Sequence, residues 1–373
     1  MGIYIGLLFA VGFAFAFTPA AIAKKHKLAV GNTNMRYIAA FVIIAAYLIM
    51  VIGLRAVSVG VDTWSYSQTY ERVARLTQWQ IVKQLKKAPE PGYFLLQLFA
   101  GKLGIKISGF NFVYAVFNVW VITYFIYKKS KMAWLSYFLY ITYDFFLLDL
   151  SMMRQTTAMS IAVLAYMIDK NRGIGDFLKF TLLIAIAATI HNSAVIFLPA
   201  WFVKKIRYND RTVTVAFVLI ALALIFRDKL MPILHSMGAG VSEKYSNYDV
   251  AEDSVGMRQY LMLLVTLIFY LFVNKKNNSP VEKDSFFLLC VMLVMFPAAS
   301  MGGGGVFMRI FYYYYLFMII FIPNMLASLN RKGEKMIKYI IIGMYMWVGW
   351  MLYYSRLTSV EFYLTPFKFF WQA

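Results

Sequence analysis

Apolar stretches long enough to cross a bilayer follow one another along almost the whole chain, separated by short basic clusters. A helix needs about 20 apolar residues to span the hydrocarbon core, where every backbone group must be satisfied internally. Candidate helices are 3–23, 37–54, 109–127, 132–149, 151–169, 177–203, 212–226, 257–273, 285–301, 306–327 and 336–354. Of the 373 residues 61% are hydrophobic and only 14% charged, whereas a soluble domain is about one-quarter charged. The expectation is an all-α polytopic membrane protein, one integral membrane domain over residues 1–373 with about 11–12 crossings.

The formal charge of +20 reads as the positive-inside bias of membrane loops rather than as a nucleic-acid surface, because the basic residues are dispersed between spans. Six segments hold 21 of the 37 Lys and Arg: Lys24 to Arg36, Lys128 to Lys131, Lys170 to Lys179, Lys204 to Arg211, Lys275 to Lys283 and Arg331 to Lys338. Only six acids accompany them, so a cytoplasmic assignment leaves +15 inside and +5 outside. In the first helix, Ala21-Ile22-Ala23 looks like a signal-peptidase site, but the positive charges follow the apolar run instead of preceding it. It reads as a retained helix. Both termini are then external, with external segments 55–108, 227–256 and 356–373. The single cysteine, Cys290, excludes an internal disulfide, and there is no P-loop or GxGxxG.

Two places strain this topology. Between Arg55 and Gly109 the chain starts and ends outside, yet Tyr93 to Leu103 is too short to span, so it is expected to be a re-entrant or interfacial helix. Residues 55–89 ahead of it read as an amphipathic interfacial helix. The stretch 177–203 has basic clusters at both ends, which one crossing would place on opposite sides. Two half-length helices meeting near His191 keep both inside, and such a break is tolerated only where it lines protein or a cavity.

Ionisable groups at membrane depth are costly and point to function. Asp62, Glu90, Arg154, His191, Arg258 and Arg309 all fall on the expected outer face, with Arg55 seven residues before Asp62. Arginines bind phosphate in a planar, bidentate manner, and a carboxylate or imidazole removes a proton from a hydroxyl. Together they suggest group transfer from a phosphate or diphosphate leaving group. Each has a plainer reading too. Asp62 suits a helix cap, Glu90 before Pro91 suits a helix start, Arg154 can snorkel, and His191 can be a core histidine. Arg258 and Arg309 suit surface snorkelling equally well, and Tyr312 to Tyr315 reads as a packing stripe. The scattered histidines make no metal site, and Asp144 and Asp149 are not spaced for one helix face, so no metal is expected.

Arg55 with Gly60-Val61-Asp62-Thr63, then Glu90-Pro91-Gly92-Tyr93, Arg154-Gln155 with Ala158, His191-Asn192-Ser193-Ala194 ending at Pro199, and Tyr363-Leu364-Thr365-Pro366-Phe367 resemble the EpsG family. These are Wzy-like membrane proteins of exopolysaccharide, capsule and O-antigen assembly. The resemblance implies a polysaccharide polymerase of GT-C-like architecture in the bacterial cytoplasmic (inner) membrane, acting on the external or periplasmic face. The growing glycan on undecaprenyl diphosphate is the donor, and a hydroxyl of the next lipid-linked unit is the acceptor. No nucleotide sugar or metal cofactor is needed, and a chain-length regulator and a flippase are the implied partners. In that frame Arg154, helped by Arg55, Arg258 or Arg309, holds the diphosphate. Glu90 first, His191 second, or Asp62 is the base, set apart from the arginines so that it stays basic. Trp64, Tyr66, Tyr93, Gln155 and Tyr248 are candidates for glycan contact.

The competing functions are a ligase using the same donor, a flippase for the lipid-linked glycan, and a membrane O-acyltransferase. A flippase calls for inverted repeats and midplane charges, which the sequence does not display. An acyltransferase has no need of several outer-face arginines.

Overall fold

The structure, a computed structural model, describes residues 1–16, 32–168, 173–226, 229, 254–273, 280–299, 311–329 and 333–372. Its α-helices are α1 (Gly2–Ala16), α2 (Asn32–Gly53), α3 (Thr63–Ala74), α4 (Gln78–Leu85), α5 (Pro91–Lys102), α6 (Ile107–Lys129), α7 (Ala133–Thr142), α8 (Phe145–Ser151), α9 (Met153–Tyr166), α10 (Ile174–Ile190), α11 (Ala200–Val203), α12 (Asp210–Ile225), α13 (Ser254–Val273), α14 (Pro280–Ala299), α15 (Phe311–Ser328) and α16 (Glu334–Thr358). Among the described residues there is no strand, and an isolated β-bridge joins Arg55 to Phe369. Among the described residues, four helices are individually long and apolar enough to cross a membrane: Met35–Gly53, Ile107–Lys129, Phe311–Ser328 and Glu334–Thr358. The protein is an all-α polytopic membrane protein.

Lipid tails are as apolar as leucine, so helices in a bilayer associate through close packing at small residues. Gly53 shows this: a Cβ there would lie 3.0 Å from the Phe112 backbone, so α2 and α6 meet at their glycine. Gly349 likewise lets α16 settle on Thr142 and Tyr143 of α7. In α9, which packs against α10 and α6, Ala158, Ala162 and Ala165 are buried.

Three of the basic clusters, those at Lys128 to Lys131, Lys204 to Arg211 and Lys275 to Lys283, meet at one end of the bundle. Lys131 pairs with Glu282, and Lys283 Nζ donates to Lys204 O at 3.4 Å. Lys204 Nζ donates to Tyr166 O (2.7 Å) and Ile168 O (2.6 Å). Asn324 of α15 ties in Lys129 O and Lys131 N. At the opposite end the C-terminal segment closes over the end of α2. Ala56 N donates to Lys368 O, Phe370 N to Leu54 O, Gly60 N to Tyr363 O, and the Tyr4 hydroxyl of α1 to Leu364 O.

The chain reverses at His191. Phe180 faces Phe197 (6.4 Å between centroids) and Phe177 faces Trp201 (5.6 Å), so the returning segment runs antiparallel to α10. The return is a 3₁₀ segment, Asn192–Phe197, followed by the single turn α11, rather than a second half-length α-helix. Three further expectations are corrected. Residues 132–149 are not one helix, because the backbone breaks at Asp144 (φ 70°) between α7 and α8. Tertiary partners hold that break: Gln259 Nε2 donates to Asp144 Oδ2 at 3.2 Å, and Arg356 Nε lies 3.4 Å from Oδ1. The interfacial stretch 55–89 forms two helices, α3 and α4, the second begun by a Thr77–Gln80 capping box. Arg356 still belongs to α16, so the terminal segment starts only after Thr358.

Candidate active site at the helix break

Pro91 occupies the first position of α5, where its fixed φ suits the helix and its missing N–H costs nothing. Glu90 therefore stands at the N-cap, but its side chain makes no cap hydrogen bond. It reaches across 101 residues of sequence instead: Glu90 Oε1 lies 2.6 Å from His191 Nδ1 and accepts from Asn192 N at 3.4 Å. Glu90 Oε2 accepts from Arg154 Nη1. Gly92 makes this meeting possible. A Cβ there would fall 2.2 Å from Thr189 Oγ1 and 3.1 Å from the Thr189 carbonyl carbon, so only glycine lets α5 lie against the end of α10.

His191 is buried at the C-terminus of α10, its own N–H still bonded to Ala187 O at 2.9 Å. Tyrosines of α15 stitch the turn that follows. Ser193 Oγ donates to the Tyr313 hydroxyl (3.3 Å), and the Tyr314 hydroxyl donates to Ile196 O (2.6 Å). Tyr312 to Tyr315 are all buried. With Nδ1 engaged by Glu90, the second nitrogen, Nε2, receives no hydrogen bond among the described residues.

Arg154 lies in the first turn of α9, with one-third of its side chain exposed. Its guanidinium sits over Tyr66 (5.5 Å) and Tyr93 (5.8 Å), whose rings meet edge to face at 6.0 Å. Cation–π contact with two rings fixes the plane of the fork. Its Nε has no hydrogen-bond partner among the described residues. Burial raises the proton affinity of Glu90, but the His191 hydrogen bond and the Arg154 charge outweigh it and hold its pKa below the usual carboxyl value.

The structure thus brings Glu90, His191 and Arg154 together directly, where separation of base and arginine was expected. The remaining candidates are placed differently. Asp62 is at the N-cap of α3, half-buried, one turn before Tyr66, and its side chain does not cap the helix. Between the two, the Thr63 hydroxyl anchors the turn to Val59 O (2.8 Å) and Leu150 O (3.1 Å). Gly60 (φ 94°) lies so close to Leu150 O that a Cβ would fall at 2.1 Å. Arg55 is buried beneath the terminal segment, donates Nη1 to Ile52 O, and leaves Nε and Nη2 without partners among the described residues. It is not part of the open face that Arg154 presents. Gln155 is buried in α9, its Nε2 4.0 Å from Met159 Sδ. Tyr93 is buried as the seat of Arg154 rather than displayed, whereas Trp64 is exposed. Arg258 is in α13, its side chain outside the described residues, and Arg309 and Tyr248 also lie outside them.

Sequence reasoning weighed Asp149 only as a metal ligand. Buried in α8, it instead accepts hydrogen bonds from the hydroxyls of Tyr140 and Tyr114 and from Asn118 Nδ2 at 3.5 Å. Its signal was the cost of an acid at membrane depth.

The spans and the cluster define a polytopic membrane protein that carries a carboxylate–imidazole–guanidinium site at the mouth of its helix bundle. The chain belongs to the EpsG family, whose model matches residues 38–369, nearly the whole chain, and which is a family of Wzy-like polymerases. No curated protein and no solved structure matches it.

Proposed function

We propose that the protein polymerises polysaccharide repeat units by moving the growing glycan from undecaprenyl diphosphate onto a hydroxyl of the next lipid-linked unit. The observation that carries this reading is the Glu90–His191–Arg154 cluster, a proton acceptor beside an anion-binding fork. His191 Nε2 takes the proton of the acceptor hydroxyl, while Glu90 holds Nδ1–H and stabilises the imidazolium that forms. As the new glycosidic bond forms, the bond from the donor sugar to the diphosphate breaks and its electron pair leaves with the diphosphate. Arg154 offsets that developing charge with the N–H groups that Glu90 does not occupy.

This assignment moves Glu90 from proton acceptor to positioning group, since a carboxylate already paired with a guanidinium is a poor base. Asp62, one turn before the Tyr66 that seats Arg154, suits the acceptor glycan. The basic clusters gathered at one end support reading that end as cytoplasmic, and with it the proposal that the site and both termini face outward from the inner membrane. Capsule, O-antigen or exopolysaccharide units all suit this chemistry, with a flippase and a chain-length regulator as working partners. No metal is required in this scheme.

The test is to incubate purified protein with undecaprenyl-diphosphate-linked repeat units, without nucleotide sugar or metal, and resolve the products by length. A ladder supports the polymerase. A single transfer to an unrelated acceptor would replace it with a ligase, and transport in liposomes without elongation with a flippase.

A further inference from the structure

A groove of about 370 Å³ runs along the outer side of α10 and ends at the candidate site. Thr181, Ile184, Ala185 and Ala188, spaced for one helix face, form its floor, and Val195 of the returning segment forms a wall. Pro91 and Asn192 line it too. They place its end one residue from Glu90 and one residue from His191, and the Asn192 N–H is itself bonded to Glu90. From Thr181 to Thr189 the groove follows α10 for about 12 Å at roughly 1.5 Å per residue.

Its surroundings identify the occupant. Leu178, Leu182 and Ile186 of α10 and Leu95 and Phe99 of α5, the helix packed against it, are exposed, an apolar surface that in a bilayer faces acyl chains. A lining this apolar offers ordered water too few hydrogen-bond partners, so an apolar chain fills it. At the upper end Pro91 and Asn192 adjoin Glu90 and His191 in sequence, and Arg154, bonded to Glu90 Oε2, keeps one-third of its side chain exposed. The ligand that satisfies both ends is an amphiphile with an anionic head at Arg154 and an apolar tail in the groove.

We propose that this groove takes the first isoprene units of the lipid carrier, and that the carrier enters laterally from the bilayer between α5 and the α10 hairpin. The assignment rests on the polymerase reading for the identity of the head group. Small side chains at positions 185 and 188 keep the groove open, so a large one closes it without touching Glu90, His191 or Arg154.

The experiment uses the full chain in nanodiscs with undecaprenyl diphosphate bearing a diazirine on its first isoprene unit. Photolabel is expected on peptides within 181–198 and on Pro91, competed by unlabelled undecaprenyl phosphate; labelling elsewhere overturns the groove. In the elongation assay, Ala188→Trp is expected to raise KM for the undecaprenyl-linked unit about tenfold with kcat nearly kept. It should leave a unit carried on methyl diphosphate, which has no isoprene to place in the groove, unaffected, and Leu182→Trp, on the exposed flank of α10, should behave as wild type. Equal kinetics for Ala188→Trp and Leu182→Trp would refute the proposal. So would a change of oligomeric state in Ala188→Trp with photolabelling intact, which would make the groove a protein contact. Wild type that labels at 181–198 but makes no ladder supports the groove and removes the polymerase reading, so the two fail separately.

Discussion

Two buried carboxylates at the same end of the bundle have opposite surroundings. Asp149 is enclosed by hydroxyl and amide donors from α6 and α7, and nothing around it opens outward. Glu90 is shared between a histidine and a partly exposed arginine at the edge of an open groove. Neutral donors satisfy a carboxylate and hold helices together. A guanidinium and an imidazole satisfy it too, and both keep spare nitrogens for a ligand. Spare nitrogens left open for a ligand, rather than burial, distinguish the surroundings of Glu90 from those of Asp149.

The largest effect that would break the comparison is at Arg154. Arg154→Ala is expected to lower the elongation rate by about 10²–10³-fold while the protein still folds, the scale of losing one preorganised charge donor. Activity near wild type would remove the cluster from the reaction. Next comes His191→Gln, expected to cost about 10²-fold or more as the general base is lost. A rate within tenfold of wild type would assign the base elsewhere, with Asp62 the first alternative.

Gly92→Ala sharpens the comparison from the packing side. The added methyl meets Thr189 and must push α5 away from α10, at about 1–3 kcal/mol of stability, with elongation reduced as Glu90 withdraws from His191. Unchanged activity would show that the approach of the two helices does not set the site. Asp149→Asn should do the reverse of Arg154→Ala. It leaves donors facing donors and costs about 1–3 kcal/mol, read as a lower thermal midpoint in detergent, while activity per folded molecule persists.

The smallest effect is electrostatic. Since the folded-state pKa of Glu90 is depressed, its stabilisation is complete above the unfolded carboxyl value of about 4.3 and is lost only as pH falls through the lower folded value. The thermal advantage of wild type over Glu90→Gln should therefore hold from about pH 7 to about pH 5 and shrink below that. An advantage that began to fall well above pH 5 would mean that burial, rather than Arg154 and His191, dominates the carboxyl.

Much of this arrangement was readable from charge and apolar length. The basic clusters flanking 177–203 required the chain to turn back, and it turns at His191. Glu90-Pro91-Gly92-Tyr93 marked a helix start, and its four residues divide the work between them. Glu90 holds His191, Pro91 begins α5, Gly92 approaches Thr189, and Tyr93 seats Arg154. The break at Asp144 was not readable, because the run around it is apolar and its stabilising partners, Gln259 and Arg356, lie 115 and 212 residues away in sequence. Nor was the burial of Arg55, which depends on a terminal segment that folds back over it.

By itself the sequence determined that the chain is an all-α membrane protein, which charges stand at the ends of its apolar helices, and that the chain turns back at His191. Hydropathy and charge depend on the bilayer normal, and each segment reports that coordinate alone. Only the tertiary structure decided who meets whom within that plane. Azimuth is set by close contacts such as Gly92 on Thr189, and pairing over 64 and 101 residues put Arg154 and His191 on the two oxygens of one carboxylate.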